Sequence, residues 1–398
     1  MDSDNIACMG TEVVLKSINL ESDQLKVLFV TTGFPPNDIG GAEIQAYKQA
    51  CSLNELGCKV SVVTQSRNFR FSKEFVTNIM VTRLPWRNGI FIGKLFNLAT
   101  LVLFMFRNGR KFDVIHIHLA NLQADVCVFI CRILKLPTLI KVASGGKFGE
   151  IARFTSVAKL TKYYGLRRAN AIQSISDEIL TELLSIGVKE NRIHKIPNGV
   201  NIEISSSDER ENDFFREKYS IELRTQIFLY IGRMAAYKGI DVLLKAWKMR
   251  CKKYDSILIL VGPVALDKPF TPNSLPKDVI WVGESKDPTI FFKNADVFVL
   301  PSFGEGMSNS LLEAISFQVP CIVTNVGSNK ELIKDKKGGL VIEPGNTLAL
   351  TESINWMLRN PMKRVKMSEY AFANLRNYEI GKVAQSILDL YLRIIGAE

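Results

Sequence analysis

The stretch Pro301-Ser302-Phe303-Gly304-Glu305-Gly306-Met307-Ser308-Asn309-Ser310-Leu311-Leu312-Glu313-Ala314 decides the fold. It carries two carboxylates, Glu305 and Glu313, with seven residues between them. An apolar run from Val297 to Leu300 precedes it and reads as a buried strand. An apolar helical stretch from Leu311 to Phe317 follows it. Glu305 therefore falls on a glycine-flanked loop at the carboxyl end of a strand, and Glu313 about two turns into a helix. In open α/β sheets that edge is where ligands bind. The helix start, Met307-Ser308-Asn309, follows Gly306 directly and offers a phosphate backbone N–H groups and a positive dipole end. A carboxylate on the helix can take the two hydroxyls of a ribose, and one on the loop the hydroxyls of a sugar. The motif reads as a nucleotide-sugar site.

Outward from it the chain alternates strand and helix. Lys26 to Thr31 reads as a buried strand, a helix follows from Glu43 to Leu56, Gly57 ends it, and Lys59 to Thr64 is the next strand. This β-α-β unit predicts a parallel sheet. Further strands are expected at Ile79–Arg83, Val114–Ile117, Thr138–Val142 and Ala171–Ser174. Helices are expected around Leu95–Arg107, Ala124–Leu134, Val157–Arg167 and Asp177–Ile186. A polar run, 205–213, breaks the pattern. A second series begins at Ile227–Gly232 and continues with strands near Ile257–Val261, Val279–Val282, Val297–Leu300 and Cys321–Thr324. The expected division is an extension over 1–24, a first Rossmann-like domain over 25–204, a second over 205–378, and a last helix over 379–398.

Three other landmarks stand in register with the paired carboxylates. Gly40-Gly41-Ala42-Glu43 follows the first strand, Asn198-Gly199-Val200 precedes the crossover, and Gly232-Arg233 is followed by Lys238-Gly239. With them the chain resembles the retaining glycosyltransferases of family 4, whose signature is Glu–seven residues–Glu, from about Lys26 to Ile395. The resemblance implies the α/β GT-B fold, two Rossmann-like domains facing across a cleft, with the terminal helix crossing back to the first domain. It also implies a front-face reaction in which the leaving phosphate helps deprotonate the acceptor hydroxyl.

Moving a sugar from a nucleoside diphosphate requires stabilising the leaving diphosphate with a metal, cations or backbone amides. Arg233 and Lys238 follow the strand that ends at Gly232, and both can reach a diphosphate there, one by a planar fork and one as a compact charge. The family places its diphosphate-binding Arg and Lys at these positions, and Glu305 completes the expected catalytic set. Gly40 and Gly41 let backbone approach phosphate or sugar closely, as the family's matching loop does. Donor-binding residues are thus expected at Gly40, Gly41, Arg233, Lys238, Glu305, Gly306, Met307, Ser308, Asn309 and Glu313. Glu43 suits the helix dipole and has a structural reading.

His116 and His118 share one face of a strand. The resemblance sets such a pair near the cleft on the acceptor side; hydrogen-bonded packing is the other reading. One departure stands out. Many relatives place a sugar-contacting histidine after the next strand, where this chain has Lys141-Val142-Ala143-Ser144-Gly145-Gly146-Lys147. Ser144 takes that place, with Gly145, Gly146 and Lys147 as substitutes in an acceptor or cleft role.

The 398 residues suffice for two such domains, and 47% hydrophobic with 23% charged residues is a globular composition. Seven cysteines form no Cys-x-x-Cys pair and read as thiols in a reducing cytosol. No basic-then-apolar leader opens the chain. Asp2-Ser3-Asp4 has metal spacing but lies in the polar extension, so no metal and no cofactor are expected. The net charge is +11, and between Arg67 and Arg168 stand eighteen Lys/Arg against four Asp/Glu. That asymmetry suggests an anionic partner. With no nucleic-acid motif, an anionic membrane face or a lipid-diphosphate acceptor fits better than nucleic acid. Ile90 to Phe106 borders on spanning length, but Lys94 and Asn97 interrupt it and strands flank it. It reads as a core helix, with an interfacial helix as the alternative.

The reading is a cytoplasmic, metal-independent, retaining glycosyltransferase, peripheral on the inner membrane face. It would move a sugar from a UDP-linked donor to a lipid-linked or growing surface glycan. Two alternatives stand beside it: a nucleotide-sugar epimerase of the same fold, and a non-catalytic nucleotide-sugar-binding subunit. Loss of Glu305, Arg233 or Lys238 would mark the latter, and all three are present. The oligomeric state is left open.

Overall fold

The computed structural model describes residues 24–38, 40–66, 69–85, 91–118, 120–146, 149–152, 163–202, 209–265, 275–285 and 287–396. The chain divides into two α/β units. The described residues up to Gly145, Gly149–Gly199 and those from Ile380 onward compose the first, and Gly146 with Val200–Glu379 the second.

The first unit is built on eight strands: β1 Lys26–Val30, β2 Lys59–Ser66, β3 Ser72–Val76, β4 Ile79–Pro85, β5 Val114–His118, β6 Thr138–Val142, β7 Ala171–Ser174 and β8 Ile193–Lys195. Their order is β3-β4-β2-β1-β5-β6-β7-β8. All neighbours run parallel except β3 with β4. The inner strands β5, β6 and β7 are buried along their whole length, as parallel strands covered on both faces must be. One face packs on the Gly41–Glu55 helix and on the last helix, Ile380–Gly396, through Ala46, Ala50, Leu53, Val383, Ala384, Ile387, Leu390 and Tyr391. The order reverses between β1 and β5, so the loop bearing Gly40 and the residues after His118 emerge at that point.

The second unit has six parallel strands: β9 Gln226–Ile231, β10 Ser256–Val261, β11 Val279–Gly283, β12 Val297–Leu300, β13 Cys321–Thr324 and β14 Gly339–Ile342. Their order, β11-β10-β9-β12-β13-β14, is that of the doubly wound nucleotide-binding sheet, with the reversal between β9 and β12. Trp247, Phe228, Leu243, Leu258, Leu260 and Val299 fill its core. The strands expected from the apolar runs are all present. Three more, β3, β8 and β14, lie at sheet edges and are only three to five residues long. The polar run expected to break the pattern is helical from Glu209 onward, in Glu209–Lys218. Of the helix expected over Val157–Arg167, the described part is Tyr164–Arg168.

The apolar stretch after β4 forms the helix Phe91–Asn108. Among the described residues no helix is long and apolar enough to cross a membrane. The basic surplus is not all surface. Arg83 is 2% exposed and donates to the carbonyls of Phe34 (3.1 Å) and Pro35 (2.9 Å), and Lys141 is 3% exposed.

Candidate functional site

In the second unit the loops after β9 and β12 flank the reversal of strand order. They are tied together in three ways. The backbone N–H of Phe303 donates to the carbonyl of Tyr237 at 2.8 Å. Gly239 stands at φ +72°, and a Cβ there would lie 2.1 Å from the Pro301 carbonyl oxygen, so only glycine fits. Lys238 Nζ meets Glu305 Oε1 at 2.6 Å, with the two side chains 18% and 8% exposed.

Glu305 is held from several sides. The same Oε1 accepts from the hydroxyl of fully buried Ser302 at 2.6 Å. The loop that carries it is anchored to the loop after β13. Thr324 Oγ1 donates to the Ser302 carbonyl at 2.6 Å, and the Ser328 N–H to that of Gly306 at 2.9 Å. Gly327, at φ +52°, lets that contact form, since a Cβ would sit 2.4 Å from the Gly306 oxygen. Such support fixes a carboxylate before any ligand arrives, which is how a binding group avoids an ordering cost.

Ser308 caps the helix Asn309–Ser316, its Oγ accepting from the Leu311 N–H at 3.4 Å. The helix starts at Asn309, so Glu313 sits about one turn in, not two. That brings it nearer to the dipole end than the sequence pattern implied. Met307 and Ser308 are buried, and Asn309 and Glu313 half-buried.

Arg233 follows Gly232 at the end of β9. Its carbonyl accepts from the hydroxyl of buried Tyr230 at 3.0 Å. Burial raises the Tyr230 pKa well above its usual value, and Glu305 and Tyr237 add to that. The phenol therefore stays protonated as a donor. The Arg233 side chain is exposed and, among the described residues, has no ion-pair or hydrogen-bond partner. A fixed buried carboxylate, a lysine on it, an uncommitted guanidinium and a capped helix start thus gather around one sheet edge. The set can bind a diphosphate and the hydroxyls next to it. Ser302, Tyr230, Thr324 and Ser328 were not singled out in the sequence, because small hydroxyl residues near strand ends carry no distinctive spacing.

In the first unit Gly40 is the extended N-cap of Gly41–Glu55, and the Glu43 carboxylate folds back beside it. His116 is fully buried, its Nδ1 2.6 Å from the hydroxyl of Tyr391, and His118 is 6% exposed. Both rings pack on Phe29. Burial, with Lys141 nearby, holds both imidazoles well below the usual histidine range, so they are neutral. Of the two rings His116 is tied by hydrogen bond to Tyr391, while the Nε2 atoms of both are buried without a partner among the described residues. Ser144 and Gly145 follow β6; Lys147 and Asp2-Ser3-Asp4 lie outside the described residues. Among the described residues no cluster of three or more His, Cys, Asp or Glu could hold a metal.

The helices Phe91–Asn108 and Leu122–Leu134 pack side by side on the first unit. Leu101 and Met105 point inward. Phe96, Leu103 and Phe106 on one helix, and Leu122, Phe129 and Ile133 on the other, are 43% to 54% exposed. At the carboxyl ends of both helices stand exposed Arg107, Arg110, Lys111, Arg132 and Lys135.

Residues 39–204 match the model of Glycosyltransferase Family 4, and residues 211–374 that of glycosyl transferases group 1. An uncharacterized glycosyltransferase of Methanocaldococcus jannaschii is 23% identical, over 92% of this chain and 98% of its own length. An Escherichia coli UDP-Gal:alpha-D-GlcNAc-diphosphoundecaprenol alpha-1,3-galactosyltransferase is 25% identical, over 75% of this chain and 79% of its own. Among solved structures, Anabaena HepE in complex with UDP and glucose superposes with a TM-score of 0.76 at 17% identity, covering 92% of this chain and 99% of HepE. With both unit models matched in order and the fold shared, the chain belongs to the family 4 type of glycosyltransferases and has the GT-B fold.

Proposed function

We propose that this glycosyltransferase moves a hexose from a UDP-linked donor, with retention, to a hydroxyl of a lipid-linked or growing surface glycan, without a metal. The observation that carries the reading is the Lys238–Glu305 pair at the reversal between β9 and β12, beside the uncommitted Arg233. Arg233 and Lys238 supply the positive charge that a leaving diphosphate needs. The helix start at Met307–Asn309 supplies N–H groups for phosphate, Glu313 the ribose contact, and Glu305 the contact to the donor sugar. The leaving phosphate itself takes the acceptor proton, so no separate base is required. In the first unit, the Gly40-Gly41 backbone serves the donor phosphates and the Ser144-Gly145 turn the acceptor side. The donor class agrees with HepE, seen with UDP and glucose, and with the UDP-Gal substrate of the E. coli relative. The acceptor class follows the diphosphoundecaprenol named for that relative.

The test is transfer from a panel of UDP- and GDP-sugars to a lipid-diphosphate sugar acceptor, with the product anomer read by NMR. Transfer from a UDP-sugar with retained configuration, undiminished in chelator, is expected. An inverted anomer, or activity that vanishes in chelator and returns with magnesium, overturns the retaining or the metal-free part.

A lipid-linked acceptor sits at a membrane, and the first unit carries a matching surface. The outward stripes of the Phe91–Asn108 and Leu122–Leu134 helices are apolar, with cations at one end, which suits an anionic bilayer. Binding to vesicles should rise with anionic lipid and fall with salt, and Phe129→Ser with Ile133→Ser should weaken it severalfold. Equal partitioning onto neutral and anionic vesicles would leave the surface merely solvated.

A further inference from the structure

Glu150 is one of only four acids in the basic stretch 67–168, and the partners of its carboxylate among the described residues are backbone N–H groups and the Ser144 hydroxyl. Its Oε1 accepts from the backbone N–H groups of Ala143 (2.8 Å) and Ser144 (3.0 Å), and more weakly from Ser144 Oγ at 3.4 Å. Its Oε2 accepts from the N–H of Ala120. Ala120 lies after β5, and Ala143 and Ser144 lie after β6. One carboxylate therefore joins the ends of two neighbouring strands at their carboxyl edge.

The described residues on either side of 147–148 also meet each other. The Glu150 N–H donates back to the Ser144 carbonyl at 3.1 Å. Gly149 lies so close to Gly145 that a Cβ on it would be 2.5 Å from the Gly145 carbonyl carbon. On the far side, Ile179, Glu178 and Glu182 of the Asp177–Ser185 helix back Gly145. Lys141 on β6, buried beneath, attracts the Glu150 charge. Withdrawal from water raises the Glu150 carboxyl to about 7, and the donated hydrogen bonds oppose that rise. Because every partner of the two oxygens is a donor, these hydrogen bonds favour the ionised form.

We propose that Glu150 is a positioning residue for transfer: it fixes the Ala143-Ser144-Gly145 turn, on the acceptor side of the reaction, in its working conformation. This rests on the glycosyltransfer reading of the Ser144 turn given above. A turn that presents backbone to a sugar has no side chain of its own to hold it in place. Glu150 provides that hold from six residues downstream.

The experiment compares wild type with Glu150→Gln and Glu150→Ala. The amide keeps the length and one acceptor oxygen but sets N–H against N–H at the other. Amide hydrogen exchange at Ala120, Ala143 and Ser144 should quicken in both variants, more in the alanine one. The kcat should fall in the order Glu, Gln, Ala, on the order of 10–100-fold for alanine, as misplacement of a contacting group does. Donor KM and the affinity for free UDP should stay within a factor of about three, because the second unit is untouched. If Glu150→Ala does not fold, the near-isosteric Glu150→Gln carries the same readings. Unchanged exchange in Glu150→Gln overturns the clamp. Faster exchange with unchanged kcat overturns its role in transfer. A wild-type chain that binds UDP but transfers from no nucleotide sugar overturns the functional reading itself, and with it the positioning role.

Discussion

The two units share a strand-order reversal but secure the loops at their sheet edges by different means. In the second, a lysine and a glutamate bind each other across the reversal, at 2.6 Å and largely out of water. In the first, a single carboxylate gathers backbone N–H groups from two loops. A charge pair can be reopened by a doubly charged ligand that offers the lysine a better partner. A carboxylate bound to amides has no such competitor, since the amides belong to the fold. On the proposed function, the pair in the second unit exchanges partners when the donor binds, and the carboxylate in the first keeps a backbone shape.

Breaking the pair in the second unit should have the largest effect. Glu305→Gln should reduce transfer by about 10²–10³-fold, the usual loss for one preorganised polar contact at a reacting centre, yet leave free UDP affinity nearly unchanged. Glu313→Gln should instead weaken free UDP and the sugar donor alike. Equal loss of UDP in both variants, by calorimetry, would show that the loop carboxylate does not face the sugar. Next in size, Arg233→Ala should cost roughly 1.5–3 kcal/mol of UDP binding, one charge-assisted contact, with the melting temperature unmoved because the side chain is exposed. Unaltered UDP affinity would remove Arg233 from the site.

The smallest effect sharpens the other side of the comparison. Burial lowers the pKa of Lys141 from 10.5 to about 7, with Glu150 opposing. Neutral His116 and His118 are the other titratable groups beside it. Between pH 7 and 10.5 the unfolded chain holds this proton and the folded chain does not. Stability from this residue therefore rises with pH across that window. Lys141→Met should be more stable than wild type near pH 7, with the gap narrowing toward pH 10 in thermal melts. A gap that widens with pH would reverse the sign.

The second unit was largely legible because its chemistry is local. Glu305, Gly306, Ser308 and Glu313 lie on one loop and helix, and Arg233 and Lys238 five residues apart after one strand. Strand-loop-helix periodicity put them at the ends of β9 and β12, though it set Glu313 a turn too far along its helix. The first unit was less legible because its holding contacts span distance. Glu150 reaches Ala120 thirty positions away, and His116 reaches Tyr391 across 275. The alternation that put His116 and His118 on one face was correct, but the pattern carried no sign of what covers that face. The edge strands β3, β8 and β14 escaped for another reason: short strands paired on one side need no long apolar run. A usable signal for Glu150 did exist, as a rare acid in a basic stretch next to a glycine-rich turn.

The helix Ile380–Gly396 supplies Val383, Ala384, Ile387, Leu390 and Tyr391 to the core of the first unit. This has a consequence for the newborn chain. A ribosome adding about 5–20 residues per second makes His116 roughly a quarter of a minute to a minute before Tyr391, its partner 275 positions on. Throughout that time one apolar face of the earlier-made sheet has only the Gly41–Glu55 helix over it and lacks the cover of the last one. The second unit draws on Val200–Glu379 and a short earlier piece that includes Gly146, so every residue of it is made before Ile380. The half synthesised later is therefore the half that can finish first. A nascent chain halted before Ile380 would carry a complete second unit behind a first unit that still lacks part of its core, open to chaperones and proteases until that helix is made.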